Sequence, residues 1–153
     1  MRTNFAKLMK QLRKTFPNAD LEVVRRAYRV ANKAHQGQLR LSGEPYVLHS
    51  LKVGQILAGI GLDPVTCAAG VLHDVLEDTD MSQKELAGEF GEEIARLVDG
   101  VTKISTLSFP EEKLNREVKQ AQNIRKMLVE TAKDVRVILI KLADRTHNMR
   151  TLG

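Results

Sequence analysis

DPVTCAAGVLHDVLEDTD, residues 63–80, runs from an apolar half into an acidic half, and its reading decides the fold. Asp63-Pro64 predicts a helix start, an N-cap followed by a proline at the first helical position, where its missing N–H costs nothing. The helix from Val65 to about Leu76 is apolar on most sides, which predicts a central, buried place. It ends among His73, Asp74, Glu77 and Asp78. On a continuous helix His73 stands one turn below Glu77, and Asp74 one turn below Asp78. Carboxylates this close raise each other's pKa, and acids at a helix C-terminus oppose its dipole. A divalent cation bound by the imidazole and one carboxylate removes the conflict and leaves the other acids as bases. A solvated acidic helix end is the other reading.

Working outward, the pattern stays helical. Towards the N-terminus, a helix over Tyr46–Ile60 stops at Gly61. The loop GQLRLSGEP, residues 37–45, precedes it, with Arg40 in its middle. Before the loop, Leu21, Val24, Tyr28 and Ala31 share one helix face, with Asp20 as N-cap and Gly37 as the stop. Phe5, Leu8, Met9 and Leu12 form the stripe of a first short helix, ended by Phe16-Pro17. Towards the C-terminus, Ser82 and Glu85 make a capping box. Helices are expected over 91–103, 113–132 and 134–150, with an exposed loop at 105–112. VRVILI, residues 135–140, also suits a buried strand, being short and β-branched. Helix is preferred because LADRTHNMR continues from it without a turn signal. The expectation is one all-α, compact multi-helix domain over residues 1–153.

Composition bounds the function. The 153 residues hold 24 basic and 19 acidic side chains, a formal charge of +5, which with 42% hydrophobic residues suits an ordinary globular domain. One cysteine, Cys67, excludes an intramolecular disulfide and a cysteine-cluster zinc site. No apolar run nears the roughly 20 residues of a membrane span, and the basic N-terminus lacks a signal peptide's apolar stretch. A cytoplasmic protein is therefore expected. Residues 1–40 carry ten basic and two acidic side chains, against fourteen and seventeen in the remainder. Such asymmetry suits a polyanionic partner or a solvated helix face. Direct nucleic-acid binding is not expected, since no aromatic interleaving or RNA-binding motif accompanies the charge.

A second constellation sits on the last helix. Asp144, Asn148 and Thr151 fall at i, i+4 and i+7 and share a face. Asp144 follows an apolar run, where an unpaired charge is costly, so it needs a metal or an arginine. Asn148 and Thr151 offer neutral donors and acceptors suited to a nucleotide. His49 is the plausible second imidazole for a metal. His35 and His147 are read as structural, His147 at the pocket edge. Arg145 and Arg150 are read as surface residues or salt-bridge partners.

The pattern His49, His73-Asp74, Asp144 resembles the HD-superfamily metal-dependent phosphohydrolases. AHQGQLRLSGEPYVLHS, GVLHDVLEDTD, DGVTKIS and KLADRTHNMRTL resemble the hydrolase domain of the RelA/SpoT-type enzymes, which make and degrade guanosine tetra- and pentaphosphate in the stringent response. The resemblance runs from about residue 20 to Leu152 and implies the HD-domain helical fold. It implies that His49, His73, Asp74 and Asp144 bind one Mn²⁺. It implies that Glu77 and Asp78 position or activate the attacking water, that Arg40 stacks on guanine, and that Ser42, Asn148 and Thr151 line the nucleoside pocket. The implied reaction releases pyrophosphate from the 3′ position, leaving GDP or GTP, with the ion acting as a Lewis acid. An HD phosphatase on another nucleotide, or a regulatory domain that binds without cutting, is the alternative. Ser50 stands where the family has proline, and Leu41 where some relatives place a basic residue. Relatives continue with more helices and, in the long enzymes, synthetase and regulatory domains, so the chain is expected to be an N-terminal fragment of a bifunctional enzyme.

Overall fold

The structure, a computed structural model, describes residues 2–105, 121–122, 124–125, 128–129 and 134–151. Its helices are α1 (Arg2–Thr15), α2 (Glu22–Ala34), α3 (Tyr46–Gly59), α4 (Pro64–Val71), α5 (Val75–Asp78), α6 (Gln83–Phe90), α7 (Glu92–Ser105) and α8 (Arg136–Thr151). Residues 121–122, 124–125 and 128–129 are also helical. Extended pairing among the described residues is limited to one bridge, Leu39 with Pro45. All of VRVILI but Val135, which lies in the preceding turn, therefore belongs to a helix, and the described residues are all-α. The rest of the loop expected at 105–112, and most of the helix expected at 113–132, lie outside the described residues.

α4 takes the central place, packed against α2, α3, α7 and α8. Seven of its eight residues are buried, from Pro64 to Val71 with only Val65 part-exposed. That is what a helix apolar on most sides requires, each fully buried large aliphatic side chain contributing roughly 1.5–3 kcal/mol. Small residues let α3 come close. A Cβ on Gly70 would lie 2.4 Å from Leu57 Cδ1. Cys67 is inside this contact, and burial pushes its thiol up to about 12, so it is no nucleophile.

The boundary signals hold with local differences. α3 ends in a Schellman arrangement: Leu62 N–H donates to Leu57 O at 3.1 Å, and Gly61, at φ +87°, donates to Ala58 O. Leu21, not Asp20, occupies the N-cap of α2; Asp20 accepts instead from the Glu22 amide at 2.9 Å. At the N-cap of α4 the Asp63 side chain has no bond to a backbone amide and accepts the Thr66 hydroxyl at 2.6 Å, while its carbonyl accepts from the Cys67 amide. Ser82 accepts from the Glu85 amide at 3.1 Å, as the capping box predicts. The expected continuous helix over Val65–Leu76 is broken. α4 stops at Val71, and three-residue turns (His73 N to Gly70 O, Val75 N to Leu72 O) carry the chain to α5.

Candidate metal centre and adjoining pocket

The break between α4 and α5 aims the chemistry. Leu72 and Asp74 sit near φ −92°, ψ 2° and φ −101°, ψ 0°, the sparsely used bridge region. The His73-Asp74 pair therefore leaves the helix surface and faces α3 and α8. His49, in the first turn of α3, and Asp144, mid-way along α8, meet it there. One ligand atom from each of His49, His73, Asp74 and Asp144 lies within 4.8 Å of the others, and all four residues are buried. His73 Nε2 stands 2.8 Å from Asp74 Oδ2 and 3.3 Å from Asp144 Oδ1, and His49 Nε2 stands 2.8 Å from Asp144 Oδ1.

The donor set fits a cation. His73 Nδ1 donates to Gly70 O at 2.6 Å, which leaves Nε2 as the inward atom. That Nε2 is buried and has no hydrogen-bond partner, although two carboxylates lie close. An imidazole lone pair facing two carboxylates is repulsive unless positive charge is added, as a proton or a metal. Without metal the site recruits the proton. Burial pulls the His73 pKa down, but the Asp74 and Asp144 carboxylates outweigh it and push it up to about 10. Burial likewise raises Asp74, and His73 outweighs it to hold Asp74 at about 2. Asp144, also opposed by burial, is held well below the carboxylate range by His49 and His73. Mixed nitrogen and oxygen donors suit a divalent first-row ion.

The outer atoms of the ligands are anchored. Tyr46 Oη donates to Asp74 Oδ2 at 2.5 Å, and burial with the Asp74 charge keeps that phenol protonated. Lys141 Nζ donates to Asp144 Oδ2 at 3.0 Å, leaving Oδ1 for the imidazoles. Glu77 and Asp78 end α5 and remain exposed. Part burial and the charges of Asp74 and Asp78 raise the Glu77 pKa. The break separates His73 from the helix of Glu77, but Asp78 N–H still donates to Asp74 O at 2.9 Å, so that one-turn relation holds. Gln38 Nε2 also donates to Asp78 O at 2.9 Å, and Gln38 Oε1 accepts from His35 Nδ1 at 3.0 Å. His35 is buried and lies against the Tyr46 ring, centroids 4.7 Å apart.

Beside the cluster lies a pocket of about 420 Å³, lined by Arg40, Ser42, Asn148 and Thr151 with Leu39, Leu41 and Tyr46. The turns of the 37–45 loop present Arg40: its N–H donates to Glu44 O at 2.8 Å, and its carbonyl accepts from Gly43 N. Arg40 Nη2 donates to Asn148 Oδ1 at 2.6 Å, and Asn148 Nδ2 donates to Asp144 Oδ1 at 3.3 Å. Pocket and cluster thus share Tyr46 and Asn148 as a wall. Thr151 spends its hydroxyl proton on α8 carbonyls, keeping its lone pairs. Leu41 is fully exposed at the mouth, and Ser50 is buried with its hydroxyl unpartnered.

His147 is closer to the centre than the pocket edge. Its Nδ1 lies 2.6 Å from His49 Nδ1 and 3.3 Å from Arg40 Nη1. Burial and the nearby cations Arg40, Lys52 and Arg150 hold its pKa down at about 4. Lys141 and His147 stand three residues before and after Asp144, so helical spacing carried that signal. Tyr46 and Gln38 had no such signal, because they reach Asp74 and Asp78 across the fold. Arg145 and Arg150 are exposed, as expected.

Residues 27–153 match the HD domain family. The chain is 54% identical over 136 residues to a GTP pyrophosphokinase of Myxococcus xanthus, covering 89% of this chain and 18% of that one. It is 49% identical over 146 residues to the bifunctional (p)ppGpp synthase/hydrolase SpoT of Escherichia coli, covering 95% and 20%. The chain therefore spans about a fifth of the length of these curated relatives. A solved structure described as a metazoan ortholog of SpoT that hydrolyzes ppGpp superimposes with TM-score 0.65 and 33% identity, covering 85% of this chain and 70% of that one. Among the described residues no helix is long and apolar enough to cross a membrane. With the family match over most of its length and these relatives beside it, the chain belongs to the HD-domain family, in its RelA/SpoT branch.

Proposed function

We propose that the chain hydrolyses the 3′-diphosphate of guanosine 3′,5′-bis(diphosphate), and of the pentaphosphate, to GDP or GTP and pyrophosphate, as a cytoplasmic enzyme of the stringent response. The observation that carries the reading is the convergence of buried His49, His73, Asp74 and Asp144 beside a pocket lined by Arg40, Ser42, Asn148 and Thr151. The names of the bacterial and metazoan relatives support the substrate class. The length of the bacterial relatives supports a longer chain with synthetase and regulatory domains.

His49, His73, Asp74 and Asp144 would hold one Mn²⁺, which when bound supplies Lewis acidity and neutralises charge on the diphosphate. Arg40 lays its guanidinium on the guanine face. Ser42, Asn148 and Thr151 give hydrogen bonds to base and ribose. Glu77 and Asp78 orient a water toward the phosphorus next to the 3′ oxygen and accept its proton. The P–O3′ bond breaks, pyrophosphate leaves, and the 3′ oxygen takes up a proton. The raised Glu77 pKa makes it a better base than an ordinary exposed carboxylate.

The test is pyrophosphate release from guanosine 3′,5′-bis(diphosphate), with and without Mn²⁺, beside His73→Ala. Turnover that needs both the ion and His73 is expected. Turnover of other nucleotides alone, or binding without turnover, would overturn the reading.

A further inference from the structure

We propose that His147 is a positioning residue for the metal centre: its Nδ1 accepts the Nδ1–H of His49 and so turns the His49 Nε2 lone pair toward His73, Asp74 and Asp144. The inference rests on reading His49 as a metal ligand, and not on which nucleotide is cut.

The direction of the bond follows from a third group. The two Nδ1 atoms are 2.6 Å apart, so one proton lies between them. Arg40 Nη1 approaches the same His147 nitrogen at 3.3 Å. A guanidinium can donate but cannot accept. His147 Nδ1 is therefore the acceptor, and the proton is on His49. An imidazole whose Nδ1 carries the proton offers Nε2 as a free ligand. That Nε2 is the atom 2.8 Å from Asp144 Oδ1.

The packing makes the arrangement rigid. The rings of His49 and His147 meet edge to edge and near coplanar, with centroids 4.9 Å apart and planes at 28°, as a bond between two ring nitrogens requires. Both residues are buried, at 2% and 7% exposure. His147 stands one turn beyond Asp144, so α8 delivers a carboxylate ligand and also the acceptor that aims the imidazole opposite. Metal-binding histidines usually give their second N–H to a carboxylate or carbonyl, and here a neutral imidazole takes that place.

The experiment is calorimetric titration of Mn²⁺ into the metal-free chain. His147→Asn sets an amide oxygen near the place of Nδ1. His147→Phe keeps the ring and removes the acceptor. His147→Gln stays polar but reaches the Nε2 position instead. Loss of such a partner weakens metal binding by about 10–100-fold. His147→Asn is therefore expected to bind within about threefold of the unaltered chain, and His147→Phe and His147→Gln at least about tenfold more weakly. His147→Gln carries the comparison should His147→Phe fail to fold. Two outcomes overturn the proposal: equal affinity in all variants, or an equal loss in His147→Asn and His147→Gln. The second would mean that packing of the ring, and not its acceptor, matters. If the unaltered chain takes up no Mn²⁺, the metal reading itself falls and this inference falls with it. Failure to cut the guanosine substrate leaves the titration result standing.

Discussion

His73 and Asp74 hold opposite charges 2.8 Å apart in a buried site, and this pair sets the pH behaviour of the metal-free protein. Asp74 is held at about 2 when folded, below its unfolded value near 3.9. Its contribution to stability is full above pH 4 and is lost as pH falls towards 2. His73 is raised to about 10 from an unfolded value near 6.5. Its contribution is full below pH 6.5 and is lost as pH rises towards 10. Urea unfolding of the metal-free protein is expected to show greatest stability between about pH 4 and 6.5, with both limbs flattened in His73→Ala. The same proton must leave when Mn²⁺ binds, so affinity should rise about tenfold per pH unit through neutrality. Calorimetry in buffers of different ionisation enthalpy counts that proton directly, and a count of zero would contradict the pairing. At the acidic pair, Glu77→Gln is expected to cut turnover by about 10²–10⁴-fold while Mn²⁺ affinity stays near that of the unaltered chain, because Glu77 is outside the ligand cluster.

Among the elements, α4 decides the geometry. Its start and apolar character were legible from Asp63-Pro64 and VTCAAGV, since capping and hydrophobic burial are local or averaged effects. Its end was not. Nothing between Gly70 and Val75 signals a stop, and helix propensity alone would continue the turn. The break is stabilised by partners elsewhere in the fold, Tyr46 from α3 on Asp74 and Asp144 from α8 beside His73, together with the local Gly70 carbonyl, which takes the His73 Nδ1–H. Gly70 serves twice, as that carbonyl and as the close contact with Leu57. Gly70→Ala would overpack a filled contact and is expected to cost about 1–3 kcal/mol. Thermal unfolding measures the cost, and Mn²⁺ affinity should fall with it, because α3 carries His49 and α4 leads into His73. An unchanged melting temperature would show that Leu57 moves aside freely.

Across the whole molecule, four side chains from three separate stretches of chain close on one point, so metal binding should stabilise the folded state as a unit. At a free Mn²⁺ concentration 100 times Kd the gain is about 2.7 kcal/mol, roughly 5–10 °C in Tm for a chain of this size. Scanning calorimetry with Mn²⁺ and then with chelator tests this, and His73→Ala should show no such shift. Local chemistry made much legible in the sequence alone: most of the described helices, the Ser82 cap, the central apolar segment, and the grouping of Asp144 with Asn148 on one face. Motifs that resemble a known family gave Arg40 its role and tied His49, already a candidate imidazole, to His73, Asp74 and Asp144, which spacing could not. Tertiary structure decided the rest. It broke the helix at Leu72–Asp74, drew His147 from the pocket edge onto His49, and brought Tyr46, Lys141 and Gln38 to the outer atoms of the site. The reason is physical: helical periodicity is a property of neighbouring residues, whereas the direction of a buried hydrogen bond depends on every donor and acceptor that packing brings within about 3 Å.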